Sequence, residues 1–173
     1  KAGHQVTVLE KNAGSVESSW AGGGIVSPMY PWRYAPAVTS LSQLAQAEYP
    51  LLAQELLVLT KVNIELNQCG MLMLEADDKR DAHIWANNYQ QKIAYLNGSQ
   101  VKELSPLIAP FHDAVWLPQV ANVRNPRLLQ ALTQALNLLG VLHITDAEVC
   151  TWHQSQGQLM CVQTTNQKEY QAD

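Results

Sequence analysis

The sequence has little charge, few cysteines and no long apolar run, and each shortage excludes something. Only 15% of its 173 residues are charged and the net charge is −4. With no basic cluster and no RNA-binding signature, nucleic acid is not the expected partner. No apolar stretch approaches the roughly 20 residues that a membrane-crossing helix needs. The opening at Lys1 does not have the form of a signal peptide. The three cysteines, Cys69, Cys150 and Cys161, are odd in number and lack CxxC spacing. They read as reduced, partly buried thiols of a cytoplasmic protein. His4, His83, His112, His143 and His153 show no metal-ligand spacing, so no metal is expected. Nor is there a Ser/His/Asp or Cys/His constellation for nucleophilic catalysis, an internal repeat or a low-complexity tract. What remains is 47% hydrophobic, enough for a globular core. The length fits one domain or parts of two.

The informative residues come early. Gln5-Val6-Thr7-Val8-Leu9-Glu10 reads as a buried parallel strand with a carboxylate at its carboxyl end. In doubly wound nucleotide-binding sheets an acid at this place hydrogen-bonds the adenosine ribose, and a glycine-rich phosphate loop lies roughly 20 residues before it. Here nine residues precede Glu10. Lys1-Ala2-Gly3 reads as the last turn of the helix that follows such a loop, with Gly3 as its C-cap. We therefore expect the chain to begin inside a βαβ unit. Ser18-Ser19-Trp20-Ala21-Gly22-Gly23-Gly24-Ile25 follows. Its glycines serve either as a plain turn or as a place where backbone comes close to something bulky. Ser18 and Ser19 have an ordinary alternative use as helix-cap or turn residues. Asn12 to Pro36 as a whole is a long loop, a feature that usually accompanies function.

The rest alternates helix and strand. Leu41, Ala45, Leu52, Leu56 and Leu59 mark a helix over about 37–62, which Pro50 should kink or divide. Cys69 to Glu75 is a strand, and Asp77 and Asp78 open a helix with the apolar stripe Ala82, Trp85, Ala86, Tyr89 and Ile93. Arg33 reads as a solvated surface side chain. A short helix spans Gln100 to Leu104, and strand pieces follow at Ala114–Leu117 and Ala121–Val123. Asn125-Pro126 opens the clearest helix, with Asn125 as N-cap, a leucine face at 128, 132, 136 and 139, and Gly140 at its end. Val141–Ile144 is then a strand. Ala147–Trp152 and Leu159–Thr165 make a hairpin, with Lys168–Asp173 as a third antiparallel strand laid over the nucleotide sheet.

Gly3 to Lys11 together with Ser18-Ser19-Trp20-Ala21-Gly22-Gly23-Gly24-Ile25-Val26-Ser27-Pro28-Met29-Tyr30-Pro31-Trp32-Arg33-Tyr34 resembles the FAD-dependent D-amino-acid oxidase superfamily. Within it, the likeness is to the bacterial glycine oxidase group of thiamine biosynthesis. It continues through Val123-Arg124-Asn125-Pro126-Arg127-Leu128-Leu129 to Asp173. The resemblance implies an α/β fold: a partial FAD-binding Rossmann-like domain, without first strand and phosphate loop, over residues 1–67 and 124–173. Residues 68–123 would be an inserted α+β portion of the substrate domain. FAD is the implied cofactor. Glu10 and Lys11 would serve its ribose or phosphates, Ser18 and Ser19 its pyrophosphate and ribityl chain, Gly23, Gly24 and Ile25 its isoalloxazine through main-chain N–H groups. Val149 would touch the adenine, or be an ordinary hairpin residue. The implied reaction oxidises a small amine or amino acid, with hydride passing to flavin and oxygen reduced to hydrogen peroxide. The family's substrate-clamping Arg and Tyr fall outside this chain, so no catalytic residue is named, and the oxidase activity is expected of the parent protein rather than of this chain alone. An open sheet position would favour pairing with a second copy, giving a possible homo-oligomer. Two other readings stand beside this one: a dehydrogenase passing electrons to another acceptor, and a folded module without catalysis.

Overall fold

A computed structural model describes residues 3–13, 17–74, 77–107 and 113–171. Lys1, Ala2, Glu75, His112, Ala172 and Asp173, on which some of the expectations above fall, lie outside the described residues. The architecture is α/β, with a parallel strand pair, two small antiparallel sheets and helices between them.

The parallel pair is β1 (Thr7–Leu9) with β5 (Leu142–Ile144), in the register Thr7–Leu142, Val8–His143 and Leu9–Ile144. β1 is shorter than the expected Gln5–Glu10, but the pairing runs on. The Glu10 N–H donates to the Ile144 carbonyl at 2.8 Å, and the Glu10 carbonyl accepts from Ala147 at 2.9 Å. Backbone bonds on both sides thus fix the position of Glu10 just past the strand.

Helix α1 is the single turn Ser18–Ala21, and a 3₁₀ turn covers Pro31–Arg33. Helix α2 runs unbroken over Pro36–Thr60 with Pro50 inside it. A mid-helix proline removes one i to i−4 bond and costs about 3 kcal/mol. Of the two outcomes expected at Pro50, a kink or a division, the division does not occur, and the helix is anchored on both sides of the proline. Leu56 is core, and Tyr49, Leu52 and Ala53 pack against the same cluster. The partner helix is α5 (Asn125–Leu138), which contributes Ala131 and Ala135. The 14 residues of α5 begin at Asn125 itself, with Arg124 as N-cap, and Gly140 stands just beyond at φ +69°. Along the outer side of this pair, Leu51, Leu59, Leu132, Leu136 and Leu139 border an open apolar groove of about 690 Å³.

Between α2 and α5 in the chain lies a second sheet. Strands β2 (Met71–Met73), β3 (Ala94–Leu96) and β4 (Ala114–Leu117) form an antiparallel sheet in the order β2-β4-β3. Sequence reading missed β3, because Ile93 completes a helical stripe on paper; helix α3 in fact stops at Asn88 (Lys79–Asn88). Helix α4 (Gly98–Leu104) starts earlier than expected, behind a capping box. The Asn97 side chain accepts from the Gln100 N–H, and the Gln100 side chain accepts from that of Asn97. The last three strands, β6 (Val149–Ser155), β7 (Gln158–Thr164) and β8 (Glu169–Gln171), form the expected meander. Cys69 and Cys150 are exposed and Cys161 half-buried, so the thiols are less covered than expected. Cys69 is in a loop, while Cys150 and Cys161 lie on β6 and β7 of the last sheet, and none belongs to either core.

Two cores meet at one crossing segment, residues 120–124. Its even-numbered residues bond to one neighbour. Val120 O accepts from Gly70 at 2.8 Å, Asn122 exchanges both backbone bonds with Asn67 at 2.9 Å, and Arg124 N–H donates to Ile64 O at 3.0 Å. The odd residues bond to the other. Ala121 O accepts from Val26 and Val123 N–H donates to Gly24 O, each at 2.9 Å. This two-sided alternation is that of a central strand. The expected strand piece Ala121–Val123 is therefore present as isolated bridges, antiparallel to Ile25 on one side and Asn67 on the other. Val123 joins the core of Val26, Ile64 and Ala131, whereas Val120 joins that of Met73, Val115 and Leu117.

Arg33 and Asp78 differ from expectation together. Asp78 is the N-cap residue of α3 but its side chain makes no cap bond. It accepts instead from Arg33, Nε to Oδ2 at 2.6 Å and Nη2 to Oδ1 at 3.0 Å, while the guanidinium lies 4.0 Å from the Tyr30 ring centre. This clamp ties the loop after the glycines to α3, beside the contact of Trp32 with Trp85. The Arg33 hydrogen bonds hold the Asp78 carboxyl below its ordinary value. A depressed carboxyl stabilises the fold above its unfolded value of about 3.9, and the contribution is lost as pH falls through the lower folded value. Arg33→Ala should therefore move the first acid transition in tryptophan fluorescence to higher pH. An unchanged acid titration would show that the clamp contributes nothing to this loop.

Candidate functional site

The glycine loop is the floor of an open cavity of about 480 Å³. Ser19, Gly23, Gly24 and Ile25 line it on one side, Tyr49 of α2 and Leu128 and Leu132 of α5 on the other, with Asn125 at the helix start. The side chain of Ile25 is 45% exposed, an apolar group left uncovered at the cavity wall.

The three glycines have different reasons to be glycine. At Gly24 φ is +72°, and a Cβ would stand 2.0 Å from the Val123 carbonyl oxygen. Its own chain forbids a side chain there. A Cβ on Gly22 would lie 2.7 Å from Asn125 Nδ2 and 3.4 Å from the Ser18 carbonyl oxygen. Gly23 meets nothing nearer than Ile25 Cγ1 at 4.0 Å. Among the described residues no close neighbour explains the bareness of Gly23, and it lines the cavity. The two glycines thus differ: the chain itself excludes a side chain at Gly24, whereas a Cβ at Gly23 would enter open cavity.

Ser18 and Ser19 form the first turn of α1, but neither caps it. The N-cap is Glu17 and no side-chain bond is made there. Ser19 lines the cavity, whereas Ser18 contributes its carbonyl next to Gly22.

Glu10, Lys11 and Val149 form a second cluster at the ends of the parallel strands. One Glu10 carboxylate oxygen accepts the Asn12 N–H at 3.0 Å, in a part-buried position. Lys11 Nζ pairs with Glu148 at 2.7 Å, and this carboxylate raises the Lys11 pKa. The pair is largely exposed, and such pairs add little to stability. Its use is geometric, since it binds the end of β1 to the residue before Val149, the first residue of β6. The Asn12 side-chain amide also donates to the Glu17 carboxylate. One short relay, Glu10 to Asn12 to Glu17, thus runs from the strand end to the start of α1. Among the described residues, no group of three or more His, Cys, Asp or Glu side chains is placed to hold a metal.

Sequence reading missed Asn125 as a site residue, assigning it to helix capping, and missed the Val123 carbonyl and Tyr49. Asn125 carried a weak signal, a polar residue preceding proline at a helix start. Backbone carbonyls and a tyrosine on a long helix carry none.

A strand ending in a fixed carboxylate, followed by a glycine loop over a cavity, is an arrangement that dinucleotide-binding α/β domains share. The chain belongs to the FAD dependent oxidoreductase family, whose model matches residues 1–173. It is 39% identical over 164 residues to the glycine oxidase of Pseudomonas putida, covering 94% of this chain and 45% of that protein. To the glycine oxidase of Pseudomonas aeruginosa it is 41% identical over 153 residues, 87% of this chain and 42% of the relative. Among solved structures it superposes on glycine oxidase from Bacillus cereus with a TM-score of 0.80 at 25% identity, covering 98% of this chain and 47% of that one. The chain thus spans a little under half the length of the relatives it matches.

Gly24→Ala should lower stability by at least about 2 kcal/mol, from a strained positive φ and a backbone collision together. Urea unfolding in the absence of any cofactor measures it, and native-like stability would refute the close approach of Gly24 to Val123.

Proposed function

We propose that this chain forms part of an FAD site in a glycine oxidase-like enzyme, and the observation that supports the proposal is the bare, cavity-facing Gly23. In this reading Glu10 accepts hydrogen bonds from the adenosine ribose. Its place past β1 is set by backbone bonds to Ile144 and Ala147, so the carboxylate is presented at the strand end without a search of conformations. Lys11 and the Val149 main chain stand beside the same nucleoside, bridged by Glu148. Ser18 and Ser19 offer hydroxyls along the pyrophosphate and ribityl chain. Main-chain N–H groups of Gly23, Gly24 and Ile25 lie against the isoalloxazine, and Gly23 permits contact there that any Cβ would obstruct. Ile25, Tyr49 and Leu128 keep water from that face.

The domain division follows the crossing segment: residues 1–67 and 124–173 would form the cofactor portion, and 68–123 part of the substrate domain. The Arg33–Asp78 clamp would hold the two portions together across the loop. When bound, FAD supplies the redox chemistry, accepting hydride from the α-carbon of a small amine or amino acid, whose imine hydrolyses to an oxo acid and ammonia, and passing the electron pair to oxygen to give hydrogen peroxide. The residues of this chain bind, orient and shield, and we assign none of them a proton transfer. We place the protein in the cytoplasm on its cysteine usage. No described helix is long and apolar enough to cross a membrane.

Titration of the chain with FAD, read by flavin fluorescence, tests the site. We expect saturable binding, weakened on the order of tenfold by Glu10→Ala through loss of hydrogen bonds to a charged acceptor. Gly23→Ala should abolish binding while leaving the melting temperature unchanged. Equal binding by native protein and Gly23→Ala would contradict this placement of the flavin.

A further inference from the structure

We propose that Asn125 is a positioning residue whose side-chain amide holds the glycine loop in the shape that presents Gly23 to the cofactor cavity. The consequence for FAD rests on the reading above; the effect on the loop does not. Asn125 Nδ2 donates to the Gly22 carbonyl at 2.9 Å, a contact that spans 103 positions in the chain. The same amide nitrogen lies 2.7 Å from where a Gly22 Cβ would stand, and Oδ1 lies 3.3 Å from the corresponding point on Gly24. One carboxamide therefore fills the space left by two glycines, and the third, Gly23, stands between them over open cavity. Asn125 is the first residue of α5, the helix has Arg124 as N-cap, and no side chain caps it. Its own helix does not use this amide; the loop does.

The chemistry requires an amide. Gly22 is extended at φ −63° and ψ 151°, ending α1 with its carbonyl turned toward α5. A neutral N–H donor meets that carbonyl favourably. A carboxylate of the same shape offers only lone pairs to it, and an alanine offers nothing. Loss of the donor frees the Gly22–Gly23 peptide to rotate, and with it the main chain of Gly23 that lines the cavity.

Two variants separate this from a helix-capping role. Asn125→Asp keeps the side-chain shape and places an acid in the first turn of α5, where negative charge favours the helix. Asn125→Ala removes both functions. Amide hydrogen exchange, melting temperature and FAD titration would be measured on the native chain and on both variants. For Asn125→Asp we expect an unchanged or higher melting temperature. Exchange should nonetheless rise on the order of tenfold at Ala21, Val26 and Val123, with Asn122 and Gly70 unaffected. FAD affinity should fall by a similar factor in both variants. Unchanged exchange at those three amides in Asn125→Asp overturns the proposal whatever FAD does. Exchange that rises while the variants bind FAD as tightly as the native chain overturns its cofactor half. If the native chain binds no FAD, the reading of the cavity fails, whereas the selective rise in exchange would still establish Asn125 as the residue that positions the loop.

Discussion

The approach of Gly24 to the Val123 carbonyl is the constraint on which the remaining structure turns. It allows residues 24–26 to pair with one edge of segment 120–124 while residues 64–70 pair with the other. A side chain at Gly24 would stand 2.0 Å from that oxygen and push the loop off the segment. The segment would then keep one neighbour, and Val26 would lose its place beside Val123 and Ile64 in the larger core. Because Val120 belongs to the second core, the same displacement would reach the antiparallel sheet of β2, β3 and β4. A loop that looks like punctuation in the sequence is in fact a paired edge.

This arrangement divides labour among adjacent glycines. Gly24 serves the fold and Gly22 makes room for Asn125, so the loop is shaped before any ligand arrives. Gly23 is then the free face, and the cavity next to it is walled by α2 and α5, the two helices that anchor the core. A site assembled on rigid elements costs little ordering when a ligand binds. The Glu10 cluster is built on the same economy: its carboxylate is carried by a parallel pair, and Asn12 links it to the start of α1 through Glu17.

Much of this was legible because it is local. An acid closing an apolar strand, the glycine run and helix α5 are read from neighbouring residues, and each is found where the sequence puts it, although α5 buries Ala131 and Ala135 and leaves Leu139 exposed beyond its end. What escaped was set by contacts distant in the chain. Residues 121–123 read as a strand piece, but their pairing on both sides did not, since the partners lie about 55 and 100 positions away, beyond any periodic signal. Pro50 allowed a kink or a division, and the packing of α2 on α5 keeps the helix undivided. Arg33 read as a free surface cation, since Asp78 is 45 residues on. Asn125 was read at its helix, the nearest structure able to use it, although its amide serves a loop near the other end of the chain.

The central claim is that the glycine loop and the end of β1 receive one ligand together. Backbone amide shifts of the isotope-labelled chain titrated with FAD test it most directly. The account predicts concerted perturbation of Gly23, Gly24 and Ile25 with Lys11 and Asn12, along a single binding curve, while the Ser155–Gln158 turn stays still. Perturbation confined to Leu51, Leu59 and Leu136 of the apolar groove, with the glycine loop silent, would contradict it.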